Sequence, residues 1–299
     1  MNRQPRQLET VSVEVPEAAL DAYEAALAEA CETVGFFRDA TAENWRVEGV
    51  RTVGAKQDRL EGALALAALV TGIAAEPTIA PVAADGWLER TAAAFPELPI
   101  GRRFAIRGTH LTGPPPPGRI VLVLDAAVAF GSGEHASTQG CLIGFEREAR
   151  RRPGRILDLG TGSGILAMAA AKLLRRNVLA TDIEPWSVRV ARENAARNGV
   201  ARLVRPILAD GWRSVAVRKG GPYDLVFGNI LARPLRAMAR DLADHLAPGG
   251  TAILAGLLRT QARDVLVAHR RQGLVLERWI DLPPWTTLVL RKRVRRTID

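Results

Sequence analysis

The chain has 299 residues, of which 47% are hydrophobic and 24% charged. That balance suits a globular protein of one large or two modest domains and excludes a disordered or fibrous chain. Lys and Arg outnumber Asp and Glu by 41 to 32, a net charge of +9, which permits contact with RNA or an acidic surface, although scattered arginines equally describe solvated faces.

Cys31 and Cys141 have no metal or redox spacing and read as small buried apolar residues in a reducing compartment. His110, His135, His245 and His269 are far apart in sequence, so no metal is expected. The N-terminal Met-Asn-Arg-Gln-Pro-Arg-Gln lacks the apolar stretch of a signal peptide, and the longest apolar run, Ala63 to Ala75, is short for a bilayer span. A cytoplasmic protein without membrane contact is the expectation.

Glu9 to Val15 alternates apolar and polar residues as a strand does. Pro16 opens a predicted helix over 17–33. Val34 to Phe37 and Trp45 to Val53 read as strands. Ala55 to Thr71 reads as a helix with Leu60, Leu64, Leu66 and Leu69 among its apolar residues, and Thr78 to Val82 as a closing strand. The order β-α-β-β-α-β is ferredoxin-like and bounds a small α+β domain at residues 1–82. Residues 83–118 read as a linker, with a helix over Asp85 to Ala94, a strand over Arg102 to Gly108 and the turn Gly113-Pro114-Pro115-Pro116-Pro117-Gly118. From Arg119 strands and helices alternate, which predicts an α/β domain over 119–299 with a parallel sheet covered on both faces. Its expected strands are Ile120 to Leu124, Arg155 to Leu159, Val178 to Asp182, Leu203 to Leu208, Leu225 to Phe227, Thr251 to Leu257 and Leu288 to Arg293. Its expected helices are Thr138 to Arg151, Ser163 to Leu174 and Pro185 to Asn198.

Five segments carry chemistry. In Ile156-Leu157-Asp158-Leu159-Gly160-Thr161-Gly162-Ser163-Gly164 a strand turns into a helix. Glycines there let a ligand approach the main chain, and the helix turns its free N–H groups toward it. A pyrophosphate loop would read G-x-G-x-x-G. The spacing here is G-x-G-x-G with Asp158 ahead of it, which suits the amino and carboxyl groups of the methionine part of S-adenosylmethionine. Gly160 and Gly162 are candidate cofactor contacts. Asp158 orients the loop or, through water, the amino group; a plain strand-to-helix turn is the competing reading.

Asp182, about 20 residues further at the tip of the next strand, can accept both ribose hydroxyls. An N-cap role ahead of Pro185 is compatible with that. Ile183 beside it is placed to pack on the adenine face. Asp210, after Ile207-Leu208-Ala209, reads either as a neighbour of the adenine amino group or as a loop aspartate. Asn229, in Asp224-Leu225-Val226-Phe227-Gly228-Asn229-Ile230-Leu231, ends a strand at the carboxyl edge, where open α/β sheets bind ligands. Its carbonyl can accept a hydrogen bond from a substrate amine and aim the nitrogen lone pair along the methyl–sulfur bond; otherwise it caps the next helix. The fifth segment, Ala129-Phe130-Gly131-Ser132-Gly133-Glu134-His135-Ala136-Ser137-Thr138, suits a loop closing over a ligand, with Phe130 and the hydroxyl of Thr138 as candidate cofactor contacts. His135 is either a base or a structural residue.

In this order the segments resemble the PrmA family, the methyltransferases of ribosomal large-subunit protein eleven. The family stretch L-D-P-G-x-A-F-G-T-G-x-H-x-T-T is similar to Leu124 through Thr138, and D-x-G-x-G-S-G-I-L-A to Asp158 through Ala167. D-I-D-P is similar to Asp182-Ile183-Glu184-Pro185, and N-I-L to Asn229-Ile230-Leu231. Trp87, Phe95 and Gly101-Arg102-Arg103 resemble the family's preceding segment. The chain departs at Ala126-Ala127, where the family has Pro-Gly, and at Ser132 and Ser137, which keep the threonine hydroxyl. The resemblance runs from Trp87 to Gly256. It implies a Rossmann-like methyltransferase domain with S-adenosylmethionine as cofactor, bound at Thr138, Gly160, Asp182 and Asn229. It also implies a ferredoxin-like N-terminal domain that recognises the ribosomal protein. The expected reaction is methyl transfer to lysine or N-terminal amines of that protein, by a monomer whose charge permits weak contact with ribosomal RNA. Methylation of RNA or of another protein's lysine is an alternative on the same fold; against RNA, the chain has Asn229-Ile230-Leu231-Ala232 in place of an Asn-Pro-Pro-aromatic tetrad. The glycine spacing counts against a nicotinamide-dependent oxidoreductase.

Overall fold

The computed structural model describes residues 7–37, 43–81, 97–124 and 135–294. The expected helix over Asp85 to Ala94, with Trp87 and Phe95, lies outside the described residues, as do Phe130 and the rest of the 125–134 loop. The chain forms two compact units.

The first unit contains β1 (Leu8–Val15), α1 (Leu20–Ala28), β2 (Thr33–Phe37), β3 (Trp45–Thr52), α2 (Gln57–Thr71) and β4 (Thr78–Pro81). Its sheet has the order β2-β3-β1-β4 with every neighbouring pair antiparallel, a split β-α-β arrangement. Val11, Val13 and Val15 recur every second residue of β1 and are buried, as are Tyr23 and Leu27 of α1 and Leu60 of α2. The predicted helix over 17–33 is shorter than expected. It begins as a 3-10 turn at Glu17–Ala19 and stops at Ala28, where Cys31 N–H bonds back to Leu27 O at 2.8 Å and the β-branched Thr33-Val34 pair enters the sheet. Arg51, 1% exposed, is held by Glu9 at 2.7 Å, Ala55 O and Gln57. Its burial is tolerable because its donors are met.

The second unit carries helices α3 (His135–Glu148), α4 (Ile165–Leu174), α5 (Pro185–Arg197), α6 (Val215–Gly220), α7 (Ala232–Ala237), α8 (Ala239–His245) and α9 (Arg259–Arg271). Strands β5 (Leu98–Ile100), β6 (Phe104–Gly108) and β7 (Ile120–Leu124) form a three-stranded sheet of their own. Two features thus differ from the sequence reading. The strand expected over Arg102 to Gly108 is present as β6, but it gains an unexpected partner in β5, and the strand at Ile120 to Leu124 pairs with β6 instead of joining the main sheet. Ile100, Phe104, Ile106, Leu122 and Leu124 are at most 1% exposed and pack with Phe145 of α3 and Ala167 of α4, so their apolar surface commits this segment to the core.

The main sheet comprises β8 (Ile156–Leu159), β9 (Val178–Asp182), β10 (Val204–Leu208), β11 (Tyr223–Asn229), β12 (Leu246–Leu258), β13 (Leu274–Leu282) and β14 (Trp285–Lys292), in the order β10-β9-β8-β11-β12-β14-β13. The strands from β10 to β12 run parallel, and β14 runs antiparallel to both its neighbours. Ile156 packs with Phe227 and Ile253 on one face, and Leu157 and Leu159 with Val226 and Leu254 on the other. Both faces are covered, which is why these strands read as continuous apolar runs. The chain steps from β8 out to β10 and returns to β11 on the other side of β8. That reversal opens a crevice at the carboxyl ends of β8 and β11. Cys31 and Cys141 are free and buried. No helix among the described residues is long and apolar enough to cross a membrane.

Candidate functional site

Four loops meet at this carboxyl edge. The first leaves β8 after Asp158, whose side chain lies on the α4 face and is 1% exposed. Its Oδ2 accepts from Thr161 Oγ1 at 2.6 Å and from Ala167 N–H at 3.1 Å. Oδ1 is buried with no hydrogen-bond partner among the described residues. Burial pushes this carboxyl up to about 6, against the pull of Thr161 and Ala167. Asp158 therefore orients the loop through direct bonds to it. The loop is pinned a second time where Thr161 N–H donates to Thr181 O at 2.8 Å, and a third time where Asn194 of α5 donates to Ser163 O at 2.9 Å.

Gly160 has φ +70, and a Cβ built there would fall on Ile230 Cγ2. Only glycine meets both conditions without strain. Across the crevice a Cβ on Gly256, at the end of β12, would come within 2.6 Å of Ile230 O. Ile230 is thus wedged between two glycines, and this fixes the start of the turn after β11.

The second loop leaves β9 at Asp182, which is 9% exposed. Gly162 N–H donates to its Oδ2 at 2.8 Å and Glu184 N–H to its Oδ1 at 3.0 Å. Each carboxylate oxygen keeps a further lone pair for a ligand donor. Beside it Ile183 is 64% exposed, a large apolar side chain turned to the surface. The third loop leaves β10; Ala209 N–H bonds to Asp182 O at 2.8 Å. Asp210 follows it and pairs with Arg213 at 2.8 Å on the exposed surface. The fourth loop leaves β11 at Asn229, whose Nδ2 donates to Thr138 Oγ1 of α3 at 3.2 Å. That bond leaves Oδ1 as the acceptor of the amide.

The structure thus joins Gly162 to Asp182 and Asn229 to Thr138 by direct hydrogen bonds, ties Asp158 to the glycine loop through Thr161, and sets Gly160 against Ile230, the residue after Asn229. Ile183 adjoins them, and Asp210 is reached through Ala209. Sequence reasoning missed Thr161, Thr181, Asn194 and Gly256. Thr161 carried one usable signal, a hydroxyl three residues after a strand-terminal aspartate, which is a local turn pattern. Asn194 and Gly256 lie far along the chain and carried none.

The residues present fit S-adenosylmethionine. A Cβ at Gly162 would meet nothing within 4 Å, so the loop backbone faces open space beside the Asp182 carboxylate. That pairs a ribose-hydroxyl acceptor with an exposed apolar side chain for a base and with a helix N-terminus for a carboxylate.

A family model described as ribosomal protein L11 methyltransferase (PrmA) matches residues 10–293. The ribosomal protein L11 methyltransferase of Rhodopseudomonas palustris (strain BisB5) is 44% identical over 236 residues, 78% of this chain and 80% of that protein. The protein of the same name from Bradyrhizobium diazoefficiens is 45% identical over 212 residues, 71% of this chain and 72% of that protein. A crystal structure of the ribosomal protein L11 methylase from Lactobacillus delbrueckii subsp. bulgaricus superposes with a TM-score of 0.59 at 30% identity, covering 67% of this chain and 98% of that one.

Proposed function

The chain belongs to the ribosomal protein L11 methyltransferase (PrmA) family, and on that premise we propose that it transfers methyl groups from S-adenosylmethionine to amine nitrogens of ribosomal protein L11, on lysine side chains, the N-terminal amino group or both. The observation that carries this reading is the pair of contacts Gly162–Asp182 and Asn229–Thr138, which set a cofactor cradle and an amide acceptor at one sheet edge.

The sulfonium supplies a methyl group that is already electrophilic, so the protein's task is alignment and desolvation. Asp182 takes the ribose hydroxyls with its remaining lone pairs. The loop from Gly160 to Gly164 and the start of α4 take the amino-acid end. Ile183 packs on the adenine face, and Asp210 receives the adenine amino group. Thr138 adjoins the site through its bond to Asn229. Asn229 Oδ1 accepts a hydrogen bond from the neutral substrate amine and aims its lone pair; Thr138 holds the amide in that orientation. An amide does not take a proton at neutral pH, so Asn229 acts by positioning.

The N-terminal unit takes the protein substrate, and the second unit carries the chemistry. The molecule works as a cytoplasmic monomer, and its net charge of +9 favours weak contact with ribosomal RNA. The test is incubation of the full chain with methyl-labelled S-adenosylmethionine, purified ribosomal protein L11 and, separately, protein-free ribosomal RNA. Label in the protein is expected, with sites mapped by mass spectrometry. Label in the RNA alone overturns the substrate assignment.

A further inference from the structure

An arginine-lined cleft lies on the far side of the second unit from the cofactor cradle. Its volume is about 690 Å³, and Arg103, Arg150, Arg152, Arg175 and Arg176 line it. Arg150 and Arg152 precede β8, and Arg175 and Arg176 stand between α4 and β9. The cleft therefore sits at the amino ends of strands whose carboxyl ends carry Asp158 and Asp182. All five arginines are exposed. The rest of the lining is alanine, proline and leucine; no carboxylate and no aromatic ring contributes.

Several arginines elsewhere in this unit pair with acids. Arg151 meets Glu148 at 3.4 Å, Arg291 meets Glu148 at 2.6 Å and Arg107 meets Glu97 at 3.0 Å. None of the five cleft arginines ion-pairs with an acid among the described residues. Glu146, which touches the lining at Arg103, is engaged by the backbone N–H groups of Arg102 and Arg103 at 2.8 and 2.7 Å. Two of the five, Arg152 at φ 53 and Arg175 at φ 55, are the left-handed caps that end the helical segments ahead of β8 and β9. Glycine or asparagine adopts that conformation more easily. Unpaired like charges in one concavity are a feature that folding alone does not favour.

We propose that this cleft binds the phosphodiester backbone of RNA, independently of sequence and apart from the methyl-transfer site. Arginine offers donors and no acceptor. A ligand that fills such a cleft should present acceptors and no donors, as a run of phosphates does. An acidic peptide brings N–H groups that this lining leaves unmatched. Guanidinium forks suit phosphate oxygens, and without an aromatic platform the bases are not read. The proposal rests on the methyltransferase reading only for the expectation that RNA is a partner.

Anisotropy of a fluorescein-labelled mixed-sequence RNA of about 20 nucleotides, titrated with the full chain at several salt concentrations, tests the proposal. Log affinity should fall linearly with log salt. Changing Arg150, Arg152, Arg175 and Arg176 to Glu should weaken binding at least about tenfold and flatten the slope by about 0.7 for each phosphate no longer neutralised. The charge-matched set Arg240, Arg263, Arg270 and Arg271 to Glu, on other surfaces, should weaken it no more than about threefold. Arg150→Gln with Arg176→Gln spares the left-handed positions and should still weaken binding about threefold, which keeps the test valid if the quadruple variant fails to fold. Equal effects in the cleft and control sets overturn the site. Displacement of RNA by polyglutamate at lower concentration than by unlabelled RNA overturns RNA as its occupant. Methyl transfer to free ribosomal protein L11 should be unchanged in the cleft variants; its absence in the parent protein would count against the function and leave the RNA data to judge the cleft.

Discussion

Gly162 N–H donates to Asp182 Oδ2 at 2.8 Å, so the carboxylate read as the ribose acceptor also holds the glycine loop in place. One substitution therefore removes a ligand contact and a loop tether together. Asp182→Ala is expected to weaken S-adenosylmethionine binding by about 100-fold or more, from two charge-assisted hydrogen bonds of roughly 1.5–3 kcal/mol each. Asp182→Asn keeps one acceptor oxygen and should fall between. Calorimetric titration decides; affinity equal to the parent's would remove Asp182 from the ribose site.

The wedge of Ile230 against Gly160 predicts a coupled pair. Gly160→Ala puts a methyl group onto Ile230 Cγ2 at a φ of +70 and should destabilise the chain by about 2–4 kcal/mol, overpacking and backbone strain combined. Adding Ile230→Ala removes the obstacle and leaves only the backbone term of about 1 kcal/mol beyond its own cavity cost. Urea unfolding of the four proteins in a double-mutant cycle measures the coupling. Additive losses would mean the two residues do not press on one another.

The Asn229 Nδ2 to Thr138 Oγ1 bond of 3.2 Å separates two kinds of contribution. Asn229→Ala removes the proposed acceptor for the amine and should lower kcat by about 100-fold. Thr138→Val removes the hydroxyl that orients the amide, and about tenfold in kcat is expected, with any loss of a cofactor contact read separately in the KM for S-adenosylmethionine. Thr138→Ser restores the hydroxyl and should restore most of the rate. Steady-state kinetics on free ribosomal protein L11 are the measurement; a kcat for Thr138→Val equal to that of Thr138→Ser would exclude the positioning role.

The cofactor edge was legible because its signals are local. Asp158, Gly160, Gly162 and Asp182 sit at two strand tips about 20 residues apart, and the strands that carry them are apolar up to the residues at their tips. The supports were not legible. Asn194 steadies the loop from the last turn of α5, and Gly256 meets Ile230 from a strand 26 residues further on, contacts that only the folded sheet creates. The strand β6 was legible in Arg102 to Gly108, but the three-residue β5 was masked by Pro99 and by the Gly101-Arg102-Arg103 turn that follows it. Arg259–Arg271 hid its helix because Ala262, Val265 and Leu266 are buried amid arginines that dominate its composition. In Leu274–Leu282 the half-exposed Glu277-Arg278 pair lies at a register shift against β14, which breaks the alternation that marks a strand.

Asp158 predicts a pH dependence of stability. Its carboxyl is pushed from an ordinary value of 3.8 up to about 6, chiefly by burial. Between those values the folded chain holds a proton that the unfolded chain has released. This group's contribution to stability is therefore greatest below about pH 4, falls as pH rises to about 6 and is then constant. Asp158→Asn keeps an acceptor for Thr161 and Ala167 and carries no charge at any pH. Relative to the parent, the variant should gain roughly 2–3 kcal/mol between pH 4 and pH 7. Urea unfolding at the two pH values isolates the term, because every other carboxylate cancels in the difference. A parent-to-variant difference that is the same at both would place the Asp158 titration outside this window.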